Sequence, residues 1–275
     1  MGPLTRRAIF VFGMHRSGTS MIGGLLRALR VDMGSDQELM GPAPDNPKGF
    51  FEHLALYQLN VDILARLGGD WWQLPVFPSG WEGSDAFDDL RRRAGLAVRR
   101  SFGESSIWGF KDPRLSLTMP FWRIMTGCPL QCILMIRNPL DVAGSLKKRN
   151  DFPISLGVDL WRRYTVAAIA NSSGLPRLPV LYEDFLENFD PEFGRLAEFC
   201  GLNWWKECRG AARAFAEDGM RNQRSAAADL ESHPEVSKEV KDLYRGLRAH
   251  ARTFRNRNDP RAEQDLDRIA RPVRP

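Results

Sequence analysis

No stretch of the 275 residues approaches the roughly 18 uninterrupted apolar side chains that a membrane-spanning helix needs. The start, residues 1 to 7, runs directly into a strand-like segment and does not read as a cleavable signal, so the cytoplasm is the expected location. Cysteine is scarce. Cys128, Cys132, Cys200 and Cys208 stand far apart or at spacings that fit neither a zinc knuckle nor a redox C-x-x-C pair. They indicate neither a disulfide scaffold nor a metal site, and read as small buried hydrophobes. A surplus of one charge is missing too: Lys+Arg 39 against Asp+Glu 34 leaves +5. That is too mild to name nucleic acid as a partner, yet it suits an anionic ligand. No internal repeat and no linker between two cores is visible, so residues 1–275 read as one domain. With 43% hydrophobic and 27% charged residues, the chain can bury a substantial core and does not resemble a disordered polymer.

What is present is an alternation of apolar strands and amphipathic helices. Ala8-Ile9-Phe10-Val11-Phe12 is short, wholly apolar and stops at Gly13, which predicts a strand buried on both faces. A glycine-containing turn, residues 14 to 20, leads to Met21, Ile22, Leu25, Leu26 and Leu29 at helical spacing. Between residues 33 and 49 the breakers Gly34, Gly41, Pro42, Pro44, Pro47 and Gly49 predict a loop. A helical pattern resumes over 53–67, followed by an irregular tryptophan-rich stretch and a basic helix carrying Leu90, Ala94, Ala97 and Val98. Further strands are expected at 107–110, at 131–136 ending on Arg137, and at 179–182. Asn138 and Pro139 open a helix to about Arg149, and Asp184 caps another that Gly201 ends. Beyond about Thr253 the charge-rich sequence reads as a loosely packed surface tail. The fold class expected from this order is α/β: a P-loop-containing nucleotide-binding fold, with a mostly parallel central sheet, helices on both faces, and ligand loops at the strand C-terminal ends.

Gly13 and Gly18 are separated as in the phosphate-binding pattern G-x-x-x-x-G-K-[ST], where backbone N–H groups cradle phosphate oxygens at a helix N-terminus. The residue after Gly18 is Thr19, however, and a nucleoside-triphosphate loop uses a lysine there to reach the terminal phosphates. The backbone, the hydroxyls of Ser17, Thr19 and Ser20, and the Arg16 cation remain to grip one phosphate with an attached acid group. A second grip is offered by Arg137 at a strand end and Ser145 about two turns into the next helix. An ion pair with Asp141 is the alternative for Arg137. Two grips suggest a nucleotide phosphorylated at two positions.

The segments FGMHRSGTS (12–20), GFKDPR (109–114), IRNPLDVAGS (136–145) and LYEDF (181–185) occur together and in order. In this set the chain resembles the sulfotransferases that use 3'-phosphoadenosine 5'-phosphosulfate (PAPS), over about residues 8 to 200. The resemblance implies that the Arg16–Ser20 turn holds the 5'-phosphosulfate, that Arg137 and Ser145 hold the 3'-phosphate, and that Tyr182 lies near the nucleotide. The cytosolic branch has lysine where Arg16 stands and a catalytic histidine where Pro113 stands. The loops here look more like those of tyrosylprotein sulfotransferases and bacterial relatives, in which a glutamate after the first helix is the base. The likeness transfers no acceptor: a sugar, a small natural product, a lipid head group and a peptide tyrosine stay open, a small molecule or glycan being the expected class, with no nucleic acid and no membrane span.

Sulfuryl transfer needs positioning, cations near the leaving and equatorial oxygens, and a base for the acceptor proton, and demands no metal. Arg16 and Lys111, each at a strand C-terminal end, are the candidate cations. Glu52, flanked by Phe50 and Phe51, is the first candidate base, with His53 and Asp112 as alternatives, Asp112 reading better as a brace. His15 receives no catalytic task. Phe50, Phe51, Trp71, Trp72, Trp81 and Trp108 either wall an acceptor pocket or pack the core. Two other readings stand beside this one: a P-loop kinase or hydrolase, and a silent nucleotide-binding scaffold.

Overall fold

A computed structural model describes residues 6–44, 46–203, 206–219, 227–253 and 260–271. In chain order the elements are β1 (Arg7–Gly13), α1 (Thr19–Ala28), α2 (Leu54–Arg66), α3 (Asp88–Phe102), β2 (Ile107–Lys111), α4 (Leu115–Met125) and β3 (Leu130–Ile136). They continue with α5 (Pro139–Asn150), α6 (Ile154–Asn171), β4 (Arg177–Leu181), α7 (Tyr182–Glu187), α8 (Phe189–Phe199), α9 (Lys206–Gly219), α10 (Ala227–Ser232), α11 (Lys238–Thr253) and α12 (Pro260–Ala270). The strands form one sheet in the order β2-β1-β3-β4, every pair parallel.

Strand pleating sends alternate side chains to opposite faces, and both faces are covered. Ala8, Phe10 and Phe12 of β1 enter a core built with α2 to α6 and the C-terminal helices. Ile9 and Val11 enter a second core with α1, α7, α8 and Ala212 of α9. This is why residues 8–12 of β1 and 132–136 of β3 read as unbroken apolar runs: a strand buried on both sides has no polar face to alternate. The chain steps from β1 to β2 on one side and then to β3 on the other, so the loops leaving β1 and β3 diverge. The crevice so created lies at the C-terminal ends of the two central strands, where ligands of open parallel sheets bind.

The expected α/β order is present, with differences of detail. The final strand spans Arg177–Leu181, so Tyr182 opens a helix and does not close the strand. The single helix expected after Asp184 is two. Asn188 adopts a non-helical backbone (φ −137°, ψ 56°) between α7 and α8, as suits a residue whose side chain competes with helical hydrogen bonding. Asp184 is not a cap; it accepts from the Arg252 guanidinium at 2.6 Å. In the segment expected to be a loose tail, Pro260–Ala270 form α12, whose Leu266 and Ala270 are buried. α4 lies in a stretch for which the sequence carried no helix assignment, and it holds Pro120; the fold tolerates the proline by pairing the Ser116 carbonyl, which it leaves without its N–H, with Asn171 Nδ2 at 2.9 Å. Cys132, Cys200 and Cys208 are buried and Cys128 half-buried, all as free thiols. Among the described residues no helix is long and apolar enough to cross a membrane.

Candidate active site

The turn after β1 is shaped by its glycines. Gly18 has φ +94°, and a Cβ there would lie 2.5 Å from the Tyr182 ring; at Gly13 it would lie 2.2 Å from the Met135 carbonyl oxygen. Only glycine lets the turn pass between these neighbours. Gly18 precedes α1 without capping it through a side chain, so the N–H groups of the first turn face the crevice end of the sheet with their dipole positive. Inside the turn, Ser17 is fully buried and its Oγ has no hydrogen-bond partner. Ser20 Oγ accepts from Asn46 Nδ2 at 3.2 Å, tying the 33–49 loop to α1. Thr19 is buried as the first residue of that helix.

Arg16 takes a positive φ of 69° and donates from Nε to Ser145 Oγ at 2.9 Å. Arg137, at the mouth of β3, donates from Nη1 to the Arg16 carbonyl at 3.1 Å. Its guanidinium lies 4.5 Å from the centroid of the Tyr182 ring, whose edge abuts Gly18. The two grips expected from the sequence are thus one continuous patch. The alternative partner is there as well, since Arg137 Nε is 3.7 Å from Asp141 Oδ2, a loose pair.

On the other side of β1, Lys111 ends β2 and donates from Nζ to Glu52 Oε1 at 2.5 Å. Both side chains are buried, Lys111 to 1% exposure. Burial pushes the Glu52 carboxyl above its ordinary range despite the opposing charge of Lys111, and pushes the Lys111 ammonium below its own despite Glu52. Glu52 Oε2 is buried without a hydrogen-bond partner. The preceding Phe51 has φ +62°, an uncommon conformation for a bulky residue.

Asp112 has no free oxygen. Oδ1 accepts from Arg114 N at 2.9 Å and Nη1 at 3.1 Å, and Oδ2 from Asn60 Nδ2 at 2.9 Å. Asn60 Oδ1 in turn accepts from Thr118 Oγ1 and Trp122 Nε1, each at 2.7 Å. Its place in the fold is that of a brace. His53 immediately precedes α2, packs 5.3 Å from Phe102 and lies 3.5 Å from Glu38 Oε1. Trp81 and Trp108 are core residues, whereas Trp71 and Trp72 are half-buried against Phe152.

Three residues of this region were missed. Asn60 is a single amide whose partners lie far along the chain, and Asn46 joins a local turn, through Gly49 O at 2.6 Å, to the distant Ser20, a bridge that its local sequence does not mark. Glu183 lies inside LYEDF and was passed over; its Oε1 accepts from Asn138 N at 2.7 Å, holding the turn after Arg137.

No family model matches the chain, and no curated protein does. Its fold is similar to those of solved sulfotransferase domains. The sulfotransferase domain of the Synechococcus PCC 7002 olefin synthase is 15% identical with TM-score 0.49, over 98% of this chain and 94% of that one. The sulfotransferase domain of the curacin biosynthetic pathway is 13% identical with TM-score 0.44, over 98% and 97%. Retinol dehydratase, solved with androsterone and the inactive cofactor PAP, is 14% identical with TM-score 0.37, over 97% and 80%. At these values the likeness carries nothing about the chemistry, which rests on the side chains above.

Proposed function

We propose that this protein transfers a sulfuryl group from PAPS to a hydroxyl or amine of a small-molecule or glycan acceptor. The observation that carries the reading is the convergence on one sheet edge of an uncapped α1 turn, the Arg16–Ser145 contact, Arg137, and the buried Lys111–Glu52 pair. The donor set fits a doubly phosphorylated nucleotide. Ser17 Oγ, buried without a partner inside the turn, is an atom that a bound phosphate oxygen satisfies. Arg16, Ser17, Gly18, Thr19 and Ser20 would hold the 5' group, Arg137 and Ser145 the 3'-phosphate, with Tyr182 packed between.

The bound nucleotide supplies the sulfuryl group and its phosphate leaving group. Lys111 and Arg16 place positive charge where the leaving oxygens gather. Glu52 takes the acceptor proton on Oε2, since Oε1 is engaged by Lys111; its raised proton affinity suits a base better than an ordinary carboxylate would. Asp112 and Asn60 hold the Lys111 end of β2 in place.

Calorimetry tests the reading. Adenosine 3',5'-bisphosphate (PAP) should bind more tightly than AMP or ATP, without added magnesium. Arg137→Ala removes charge-assisted bonds worth about 1.5–3 kcal/mol each, so the preference over AMP should fall by about tenfold or more. Tightest binding of ATP with magnesium would overturn the assignment in favour of phosphoryl chemistry.

A further inference from the structure

His15 stands immediately before Arg16, and the chemistry just described leaves it without a task. The residue is only 8% exposed, and its imidazole is fixed by aromatic neighbours, Trp71 at 4.6 Å and Tyr164 at 5.6 Å between ring centroids. The wall that holds it is held in turn: Tyr164 donates its hydroxyl to the Trp71 carbonyl at 2.8 Å, and Phe152 stacks on the Trp71 ring. At the tip, Nε2 is buried with no hydrogen-bond partner. A buried nitrogen left without a partner destabilises the fold, a cost that a phenylalanine filling the same aromatic niche would avoid. A ligand atom that completes the bond removes that cost.

The surroundings say which kind of atom. Arg114, Arg149, Lys111 and Arg16 all direct positive charge at the ring, and with burial they hold His15 well below its ordinary pKa, as neutral imidazole. Cations so arranged gather anionic oxygens, which accept hydrogen bonds and do not donate them. A neutral imidazole can carry its one proton on Nε2 and add a donor there without adding a further like charge. Locked in rotamer and in charge state, it is already organised for one contact.

We propose that His15 donates from Nε2 to an oxygen of the transferring sulfuryl group, and so distinguishes PAPS from PAP. The inference rests on the sulfuryl-transfer reading, and binding measurements separate the two without needing an acceptor. Wild-type protein should bind both nucleotides. In His15→Phe, which keeps the ring packing, PAPS affinity should fall by about tenfold, one charge-assisted bond, while PAP affinity stays within about twofold. His15→Gln, which keeps an N–H donor, should recover part of the PAPS preference. The wild-type chain also reports directly. With 13C-labelled histidine, and only 4 histidines to assign, the His15 ring resonance should move on adding PAPS and much less on adding PAP. Equal losses for both nucleotides in His15→Phe, no loss for either, or a resonance that answers PAP as it does PAPS would overturn the assignment and leave His15 a packing residue. Wild-type protein that binds neither nucleotide would overturn the sulfuryl-transfer reading itself, and this contact with it.

Discussion

Glu52 and Lys111 share one proton-dependent problem, because each is buried and each needs the other charged. Burial raises the carboxyl and lowers the ammonium. The base form of Glu52 is lost as pH falls through its raised pKa. The cation is lost as pH rises through the lowered pKa of Lys111. The rate should therefore be bell-shaped, its acid limb above the usual carboxylate range and its alkaline limb below the usual lysine range. Glu52→Gln should abolish the acid limb and slow transfer by on the order of 100-fold or more, with PAP affinity retained because Glu52 lies outside the phosphate turn. A panel of phenols and sugars with labelled PAPS supplies the acceptor, and the loss should shrink for phenols that are already acidic. A fully active Glu52→Gln protein would remove Glu52 as base. At this scale the turn residues stand out in the sequence because they form one contiguous motif, and Glu52 because aromatic residues flank it, although its pairing with Lys111 does not. Asn60 does not, since its value lies in bridging Asp112, Thr118 and Trp122, and such bridges leave no trace in local composition.

Elements were legible where burial is two-sided or capping is strong. β1 and β3 announce themselves as apolar runs, and α5 by Asn138, whose side chain accepts from Leu140 N at 2.9 Å ahead of Pro139. α4 was hidden: it carried no helix assignment, Pro120 argues against a helix on local grounds, and its compensation comes from α6, a separate element. That compensation is testable. Asn171→Ala should leave the Ser116 carbonyl without this amide and lower stability by about 1 kcal/mol, read by urea unfolding. Pro120→Ala restores an N–H four residues after Ser116, so the Asn171→Ala cost should be smaller in the Pro120→Ala background. Equal costs in both backgrounds would show that Asn171 acts elsewhere. The split between α7 and α8 was likewise hidden, since the apolar residues on both sides of Asn188 keep one helical rhythm while its backbone leaves the helix.

At the scale of the molecule, the parallel sheet separates two jobs by direction. The C-terminal strand ends carry the proposed site, and the N-terminal end of β4 carries an anchor for the C-terminal helices. Arg177, 1% exposed, donates from Nη1 to Asp267 Oδ1 of α12 at 2.7 Å, and Ser173 Oγ donates to Oδ2 at 2.7 Å. The sequence did not disclose this, because a charge-rich segment reads as solvated until its partner is known, and Arg177 lies 90 residues away. Asp267→Ala should remove the carboxylate from a buried guanidinium and cost about 3 kcal/mol, the low end for breaking a buried pair, because the aspartate keeps some solvent contact. Arg177→Met added to Asp267→Ala should recover part of that loss, since an apolar side chain of similar length needs no partner. Through both changes PAP affinity at a temperature where the protein is folded should stay within about twofold, because the anchor and the phosphate turn occupy opposite ends of the strands. A PAP Kd that weakens in step with the melting temperature would show that α12 docking reaches the site, and the division of the sheet into an anchored end and a working end would have to be given up.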